Sequence, residues 1–117
     1  TRRSSDLMQG VLERYPDLAG VFCTNEDVAE LYLKLDKNED NAPIMIGVDA
    51  SSGQQEAIKN GEQLGCVSQD PYELGYQTIL TAAYATVPAD QEKEILMQPK
   101  WIDPSNIENE TCSRYLY

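Results

Sequence analysis

The sequence contains no histidine, and basic side chains are scarce in it. Its 117 residues include 9 Lys and Arg against 20 Asp and Glu, which gives a formal net charge of −11. Without histidine the chain cannot form a Ser-His-Asp or Cys-His catalytic centre or the usual imidazole metal site. An acidic surface repels nucleic acid and anionic membranes, because both are bound mainly through Lys and Arg. We therefore expect no cofactor, no metal and no nucleic-acid contact for this segment.

Long apolar runs and paired cysteines are also missing. No apolar run approaches the roughly 20 residues needed to span a bilayer. Three cysteines, Cys23, Cys66 and Cys112, are an odd number without CxxC spacing, which argues against a disulfide framework or a zinc knuckle. Cys23 and Cys66 lie inside apolar runs, so we expect them to be buried core residues. Because Thr1 is neither an initiator Met nor part of a signal peptide, we expect a processed product or a piece of a longer protein.

Helix and strand patterns alternate along the chain. Apolar residues at helical spacing predict helices over residues 5–15, 27–35, 54–61 and 72–86. Short apolar runs predict strands over residues 20–25, 44–49 and 64–69, followed by an extended segment over 95–102 and an irregular acidic tail. This alternation, with nearly continuous apolar strands, is typical of a parallel sheet covered by helices on both faces. The sequence predicts an α/β layered fold with right-handed crossovers.

Each of the first three predicted strands ends on an amide or a carboxylate. These residues are Asn25, Asp49 and Gln69. In an open α/β sheet, ligands bind outside the carboxyl ends of parallel strands, so the three side chains are expected at the same rim. Asn and Gln offer donors and acceptors, whereas ionised Asp offers acceptors only. This set suits a neutral ligand rich in hydroxyls, such as a sugar, and suits a phosphate poorly because no basic residue lies on the rim.

Local turn chemistry gives a second interpretation of the same positions. Asn and Asp are common where a strand gives way to a loop. Asp27, just after Asn25, is a candidate N-cap for the second helix. Ser51 and its neighbours offer capping chemistry for the third helix, and Pro71 fits the first turn of the fourth. In the fourth helix, Ile79, Leu80 and Ala83 form the stripe predicted to face inward.

Three blocks of the sequence resemble a known family. They are TNEDVA (24–29), IMIGVDASSGQQEAIKNG (44–61) and VSQDPYELGYQTI (67–79). In this order and at these separations they resemble the carboxyl-terminal part of type I periplasmic sugar-binding proteins. That group includes the ribose- and galactose-binding proteins and is related to the effector domains of lactose-repressor-like regulators. The resemblance covers Leu7 to Ile107 and implies a partial, flavodoxin-like layered α/β fold from a bilobed protein that closes on a small ligand.

The resemblance also implies roles for individual residues. In the family, the Asn, Asp and Gln that match Asn25, Asp49 and Gln69 hydrogen-bond the ligand. The third block is similar to a hinge crossing between the two lobes, which here falls on residues 68–71. The hinge positions are Ser68, Asp70 and Pro71.

The hinge implies a division of the chain. Residues 1–69 would belong to the second, carboxyl-terminal ligand-binding lobe. Residues 70–117 would contain the hinge crossing, a segment that returns to the other lobe, and the acidic tail. The helix from Tyr72 and the strand at 95–102 are then expected in the opposite lobe.

The sequence departs from the family pattern near the predicted site. Val48 and Ala50 flank Asp49 where the family usually has Phe and Gly, so the ligand identity stays open. The whole first lobe, the opening strand of the second lobe and the aromatic residues that sandwich a sugar ring are missing. Trp101 and Tyr72 are the nearby substitutes, although we expect Trp101 to be buried against its own strand neighbours.

Two binding functions follow from the resemblance. The first is the carboxyl-terminal part of an exported substrate-binding protein of an ABC-type uptake system. Its expected partners are a sugar-like ligand and a membrane permease or receptor, and its location is the periplasm or, as a lipoprotein, the cell surface. The alternative is a ligand-sensing effector domain of a signalling receptor or of a cytoplasmic lactose-repressor-like regulator. EAIKNG, GCVSQDPYELG and WIDPSNI favour the transport branch.

An enzyme is the third function class, and the residues support it least. Asp49, Glu26 and Cys66 are candidate acids or nucleophiles, but no base or electrophile in the sequence pairs with them. We therefore expect a protein that is not an enzyme. A piece of a larger sheet exposes strand edges, so we also expect these 117 residues to self-associate when isolated.

Overall fold

The computed structural model of the chain describes residues 2–37, 42–84 and 94–117. Its helices are α1 (Arg2–Arg14), α2 (Glu26–Leu33), α3 (Ser52–Asn60), α4 (Pro71–Tyr84) and a 3-10 helix (Glu110–Tyr115). Its strands are β1 (Gly20–Phe22), β2 (Ile44–Val48), β3 (Gly65–Ser68) and β4 (Lys100–Ile102). Among the helices in these described ranges, none has the length and apolar content that crossing a bilayer requires.

The predicted order of elements is confirmed, and local capping chemistry explains where the helices begin and end. Ser51 is the N-cap of α3, and its Oγ accepts a hydrogen bond from the Gln54 N–H. Gly61 ends the same helix in the left-handed conformation, at φ 82°, where a Cβ would be strained. Pro71 is the first residue of α4, where its missing N–H costs no hydrogen bond.

The sheet is mixed, with the strands in the order β1-β2-β3-β4. The first three strands are parallel, as predicted, whereas β4 is antiparallel to β3. Within the predicted extended segment 95–102, only Lys100–Ile102 forms a strand. The expectation that this strand lies in the opposite lobe is wrong for these three residues, because they are hydrogen-bonded to β3, with Val67 opposite Trp101.

Two apolar clusters form the core. One consists of Cys23, Ala29, Tyr32 and Met45, and the other of Ala50, Ile58, Cys66, Ile102, Ile107 and Cys112. The three cysteines are buried and free, which confirms the expectation for Cys23 and Cys66. The carboxyl-terminal tail is not irregular throughout, since its 3-10 helix brings Cys112 into the second cluster.

The strands bury one face of the sheet. Alternation along the strands and the pairing register put Met45, Cys66 and Ile102 on the same face, which α2, α3 and the 3-10 helix cover. The opposite face carries Phe22, 58% exposed, and Trp101, 38% exposed. The α/β class is confirmed, but these helices do not supply the expected second layer. Successive right-handed crossovers that advance in one direction along a sheet place their helices on the same face.

Helix α4 buries none of its residues. The inward stripe predicted for it is not buried in this structure, since Ile79 is 71% exposed, Ala83 is exposed and Leu80 is half-buried. The helix contacts the 3-10 helix near its own start, where Arg114 lies close to Glu73. The assignment of α4 to another lobe stays a prediction.

Candidate functional site

The carboxyl ends of β1, β2 and β3 meet at one edge of the sheet. When the pairing register is extended past the strand ends, Asn25 lies opposite Asp49. Gln69 lies opposite Ala50, which is one residue beyond Asp49. The Asp49 N–H continues the ladder by donating to the Val67 carbonyl at 2.9 Å. Since neighbouring strands are about 4.8 Å apart, the backbone positions of the three residues span about 10 Å. Asn25 and Gln69 are exposed and Asp49 is half-buried, so the rim faces solvent.

Asn25 combines a structural role with its place on the rim. It is the N-cap of α2, and its Oδ1 accepts a hydrogen bond from the Val28 N–H at 2.9 Å. The prediction of Asp27 as the N-cap is therefore wrong, since Asp27 lies inside the first turn of the helix. The cap occupies Oδ1, which leaves the amide hydrogens on Nδ2 as the donors that Asn25 offers to a ligand.

Asp49 has an unusual backbone conformation. Its φ is 70°, and within the described ranges it is the one residue other than glycine with a positive φ. Asp adopts this left-handed conformation more readily than most residues, because its short polar side chain bonds locally. Strained backbone is concentrated at binding and catalytic sites, so the conformation marks Asp49 as a candidate functional residue. Ala50 follows it and is fully buried.

The predicted hinge residues connect β3 to the start of α4 and are tied to the 3-10 helix. The buried Ser68 Oγ donates to the Tyr115 carbonyl at 2.6 Å. Asp70 is 7% exposed, and its Oδ1 accepts a hydrogen bond from the Glu73 N–H at 2.9 Å. Its Oδ2 lies 2.8 Å from Arg114 Nη2. Asp70 is thus both the cap of α4 and an ion-pair partner of the chain's last helix.

Tyr117 is a residue of this rim that the sequence pattern did not reveal. Its N–H donates to the Ala50 carbonyl at 3.2 Å, and its carbonyl accepts from Gln55 Nε2 at 3.3 Å. Burial, together with interaction with the Asp49 carboxylate and the negative charge of Glu26, raises the pKa of Tyr117 above its ordinary value. No local motif links positions so far apart in sequence, so nothing in the pattern indicated this contact.

Other candidate residues have structural explanations. The ring of Trp101 lies against Gly65 of the neighbouring strand, but the residue is exposed, so the expectation that it is buried is wrong; its Nε1 donates to Asp103 Oδ2 at 2.8 Å. The Arg114 guanidinium lies 5.2 Å from the centre of the Tyr72 ring. Burial, with the charge of Asp49 as the second cause, raises the pKa of the Cys66 thiol to about 12, so the thiol stays protonated at neutral pH.

The rim offers hydrogen bonds and lacks a metal-binding arrangement. Among residues 2–37, 42–84 and 94–117, no three Cys, Asp or Glu side chains are grouped so that they could hold a metal ion. Asn25, Asp49 and Gln69 together supply amide donors and carbonyl and carboxylate acceptors. The arrangement can bind a neutral polar molecule through several hydrogen bonds.

Comparison with known proteins identifies the chain's relatives. A family model described as a periplasmic binding protein domain matches residues 2–87. The ribose import binding protein of Salmonella typhimurium is 27% identical over 78 residues, which are 66% of this chain and 26% of that protein. The chain therefore spans about a quarter of that relative's length.

Solved structures share the fold. An ABC transporter solute-binding protein from Agrobacterium vitis, solved with bound D-fucose, is 26% identical with a TM-score of 0.86, covering 97% of this chain and 40% of that one. A protein of Brachyspira murdochii, described as an ABC transporter, LacI family transcriptional regulator, is 28% identical with a TM-score of 0.74. That likeness covers 85% of this chain and 35% of the Brachyspira chain.

Proposed function

Since the chain belongs to the periplasmic binding protein domain family, we propose that it is the carboxyl-terminal part of a solute-binding protein that binds a sugar for an ABC-type uptake system. The observation that carries the proposal is the placement of Asn25, Asp49 and Gln69 at one solvent-facing rim. The D-fucose bound by the similar Agrobacterium vitis protein supports a sugar as the ligand class.

Binding would rest on hydrogen bonds and involve no chemical reaction. The Nδ2 group of Asn25 donates to a ligand hydroxyl, the Asp49 carboxylate accepts from ligand hydroxyls, and the Gln69 amide does both. The opposite lobe, formed mainly by residues outside these 117, would close over the ligand and exclude water. The closed protein would then be recognised by a membrane permease, which requires an extracytoplasmic location.

The same proposal assigns the chain to two lobes. The core of α1 to β3 forms part of one ligand-binding lobe. Residues 68–71 are the hinge, and α4 crosses to the other lobe. The lack of burial on α4 supports this division, because a helix with exposed apolar residues needs a covering surface. The pairing of β4 with β3 supports a return of the chain to the first lobe.

A second candidate is a ligand-sensing effector domain. The similarity to the Brachyspira murdochii protein described as a LacI family regulator favours it. Uptake requires an extracytoplasmic protein, whereas a lactose-repressor-like regulator acts in the cytoplasm. Fractionation of cells that express the complete tagged protein distinguishes them, since a periplasmic or surface-bound pool supports uptake and a purely cytoplasmic pool supports sensing.

The site is tested by removing the Asp49 carboxylate. In the complete two-lobed protein, we expect Asp49→Ala to weaken sugar binding at least about 100-fold, because buried hydrogen bonds to a charged group are among the strongest polar contacts. Isothermal titration calorimetry against a panel of pentoses and hexoses that includes ribose and D-fucose measures the change.

Two further variants separate binding from folding. Asp49→Asn keeps a residue type that tolerates the left-handed backbone, so its melting temperature is expected to equal that of the wild type while binding is still weakened. Asp17→Ala removes the same charge before β1, at the opposite edge of the sheet, and is expected to bind normally. Wild-type affinity in Asp49→Ala would exclude the proposed site.

A further inference from the structure

We propose that Glu30 is a positioning residue of this ligand site, whose carboxylate holds the loop after Asp49 against the helix that begins at Asn25. The inference rests on the proposed function of Asn25 and Asp49. It adds to the site a residue of α2 that acts through a hydrogen bond to Ser51 and does not itself bind the ligand.

Glu30 connects α2 to the start of α3. The Ser51 Oγ donates a hydrogen bond to Glu30 Oε1 at 2.6 Å. Ser51 is 5% exposed and the Glu30 side chain is 25% exposed, so water competes little for this bond. Because the two residues are 21 positions apart in the sequence, their hydrogen bond joins two different helices.

The Glu30 carboxylate lies against the first turn of α3. A Cβ on Gly53, the second residue of that helix, would overlap Glu30 Oε1 and would lie 2.7 Å from Oε2. The absence of a side chain at Gly53 therefore leaves room for the carboxylate. The first turn of a helix presents unpaired N–H groups and the positive end of the helix dipole, which favour a negative charge. The start of α3 therefore stabilises the charge of Glu30 in this partly buried place.

The hydrogen bond also determines the direction of the Ser51 hydroxyl. An ionised carboxylate only accepts hydrogen bonds, so Ser51 must be the donor to Glu30. The Ser51 oxygen can then accept a hydrogen bond from the Gln54 N–H, whose nitrogen lies 3.4 Å away, and this contact caps α3. Glu30, Ser51 and the first turn of α3 are thus linked by consecutive hydrogen bonds.

Asp49 needs restraint on both sides because its backbone is strained. Its φ of 70° is a left-handed conformation, which persists where the surrounding structure holds it. On the strand side, the Asp49 N–H donates to the Val67 carbonyl at 2.9 Å. On the loop side, Ser51 follows Asp49 after one residue and is held by Glu30. The direction in which the Asp49 side chain leaves the rim therefore depends on both contacts.

The same contact relates Asp49 to Asn25. Asn25 caps α2, and Glu30 lies about 7.5 Å further along the axis of that helix. The helix thus joins Asn25 to Glu30, and the hydrogen bond joins Glu30 to the loop after Asp49. Groups that bind one small ligand must keep their relative positions to within about 0.5 Å. Because groups that are already in place lose less freedom when the ligand binds, we expect the contact to raise the affinity.

The first test compares two replacements of Glu30 in the complete protein. Glu30→Ala removes the acceptor and is expected to weaken binding of the best sugar of the panel about tenfold, as measured by calorimetry. Glu30→Gln keeps an oxygen that can accept from Ser51 and is expected to stay within about threefold of the wild-type affinity. Wild-type affinity in Glu30→Ala, or equal losses in both variants, would overturn the proposal.

Lys34→Ala is the matched control, because it breaks the other contact of Glu30. Lys34 Nζ lies 3.5 Å from Glu30 Oε2, and the Lys34 side chain is 73% exposed. The variant leaves the hydrogen bond to Ser51 in place, and exposed ion pairs contribute little, so we expect it to bind the sugar normally. A loss of affinity as large as that in Glu30→Ala would assign the effect to the ion pair and overturn the proposal.

A double-mutant cycle distinguishes positioning from a structural role. If Glu30 acts by orienting the Asp49 carboxylate, removing both side chains is expected to cost little more than removing Asp49 alone. Glu30→Ala should then weaken binding at most about twofold when Asp49→Ala is already present. A tenfold loss in both backgrounds, measured by the same calorimetry at higher sugar concentration, would show a general structural role and overturn the proposal.

The outcomes for the two residues can be told apart. If Asp49→Ala weakens binding and Glu30→Ala does not, the proposed site stands and the role of Glu30 is overturned. If Asp49→Ala binds every sugar of the panel as the wild type does, the proposed site itself is excluded, and the role of Glu30 with it. The role of Glu30 is supported if Glu30→Ala weakens binding in the wild-type background but not in the Asp49→Ala background.

Discussion

At the scale of single residues, Gly47 shows how the core supports the rim. A Cβ at this position would overlap Gln54 Oε1 and lie 2.9 Å from Gln63 Nε2. These amides form a buried network in which Gln54 Nε2 donates to the Val48 carbonyl and Gln63 Nε2 donates to Gln54 Oε1, both at 3.0 Å. A glycine at this position leaves room for the two amide groups beside β2, and α3, which carries Gln54, begins just after Asp49.

Gly47→Ala is expected to lower the free energy of unfolding by about 2–3 kcal/mol, because the added methyl group displaces buried amides from their partners. Chemical denaturation followed by circular dichroism measures the change. Gly10→Ala is the control, since nothing lies within 4 Å of a Cβ at that helical position. It is expected to raise the free energy of unfolding by about 0.5–1 kcal/mol. Equal stability of Gly47→Ala and the wild type would contradict the proposed contact.

At the scale of elements, the 3-10 helix connects the predicted hinge to the core. Its Cys112 is buried in the second apolar cluster. Its Arg114 is paired with Asp70 at 2.8 Å and lies 3.6 Å from Glu73 Oε2. Because Asp70 also caps α4, one short helix restrains both the end of β3 and the start of α4.

Arg114→Ala is expected to lower the free energy of unfolding by about 1–2 kcal/mol, because it leaves the buried Asp70 carboxylate without its cation. The predicted loss is below that of a fully buried pair, since the Arg114 side chain is 55% exposed. Lys34→Ala breaks the exposed pair with Glu30 and is expected to cost less than about 0.5 kcal/mol. Thermal and urea unfolding measure the loss of stability in both variants. Equal losses would contradict the prediction that the Arg114–Asp70 pair stabilises the fold more than the Lys34–Glu30 pair does.

At the scale of the whole molecule, the chain is more extended than a compact domain. Its radius of gyration is 17.8 Å, and its extents are 58 × 33 × 21 Å. A compact domain of this length has a radius of about 13 Å. The unburied helix α4 and the exposed face of the sheet show that large apolar surfaces are uncovered within the described residues.

The isolated chain is therefore expected to self-associate, with association increasing as salt screens the net charge of −11. Light scattering coupled to gel filtration measures the mass. Ile79→Glu on α4 is expected to weaken association, and Leu7→Glu on α1, equally exposed at 70% against 71%, is expected to change it little. A monodisperse monomer at high salt would contradict this expectation.

Much of the fold could be predicted from the sequence because the relevant signals are local. Apolar spacing predicts the element type, and the caps at Ser51 and Gly61 and the proline at Pro71 predict where the helices begin or end. The prediction of Asp27 as an N-cap was wrong because Asn25 and Asp27 both have side chains that can cap, and only the backbone conformation decides between them.

The sequence by itself determined the order of elements, the α/β class and three polar strand ends, because each of these depends on neighbours along the chain. The tertiary structure alone decided the antiparallel pairing of β4, which face of the sheet the described helices cover, and the hydrogen bond between Tyr117 and Ala50. These three features depend on contacts between segments that are far apart in the sequence. Packing between those segments determines the contacts, and a local sequence pattern does not predict it.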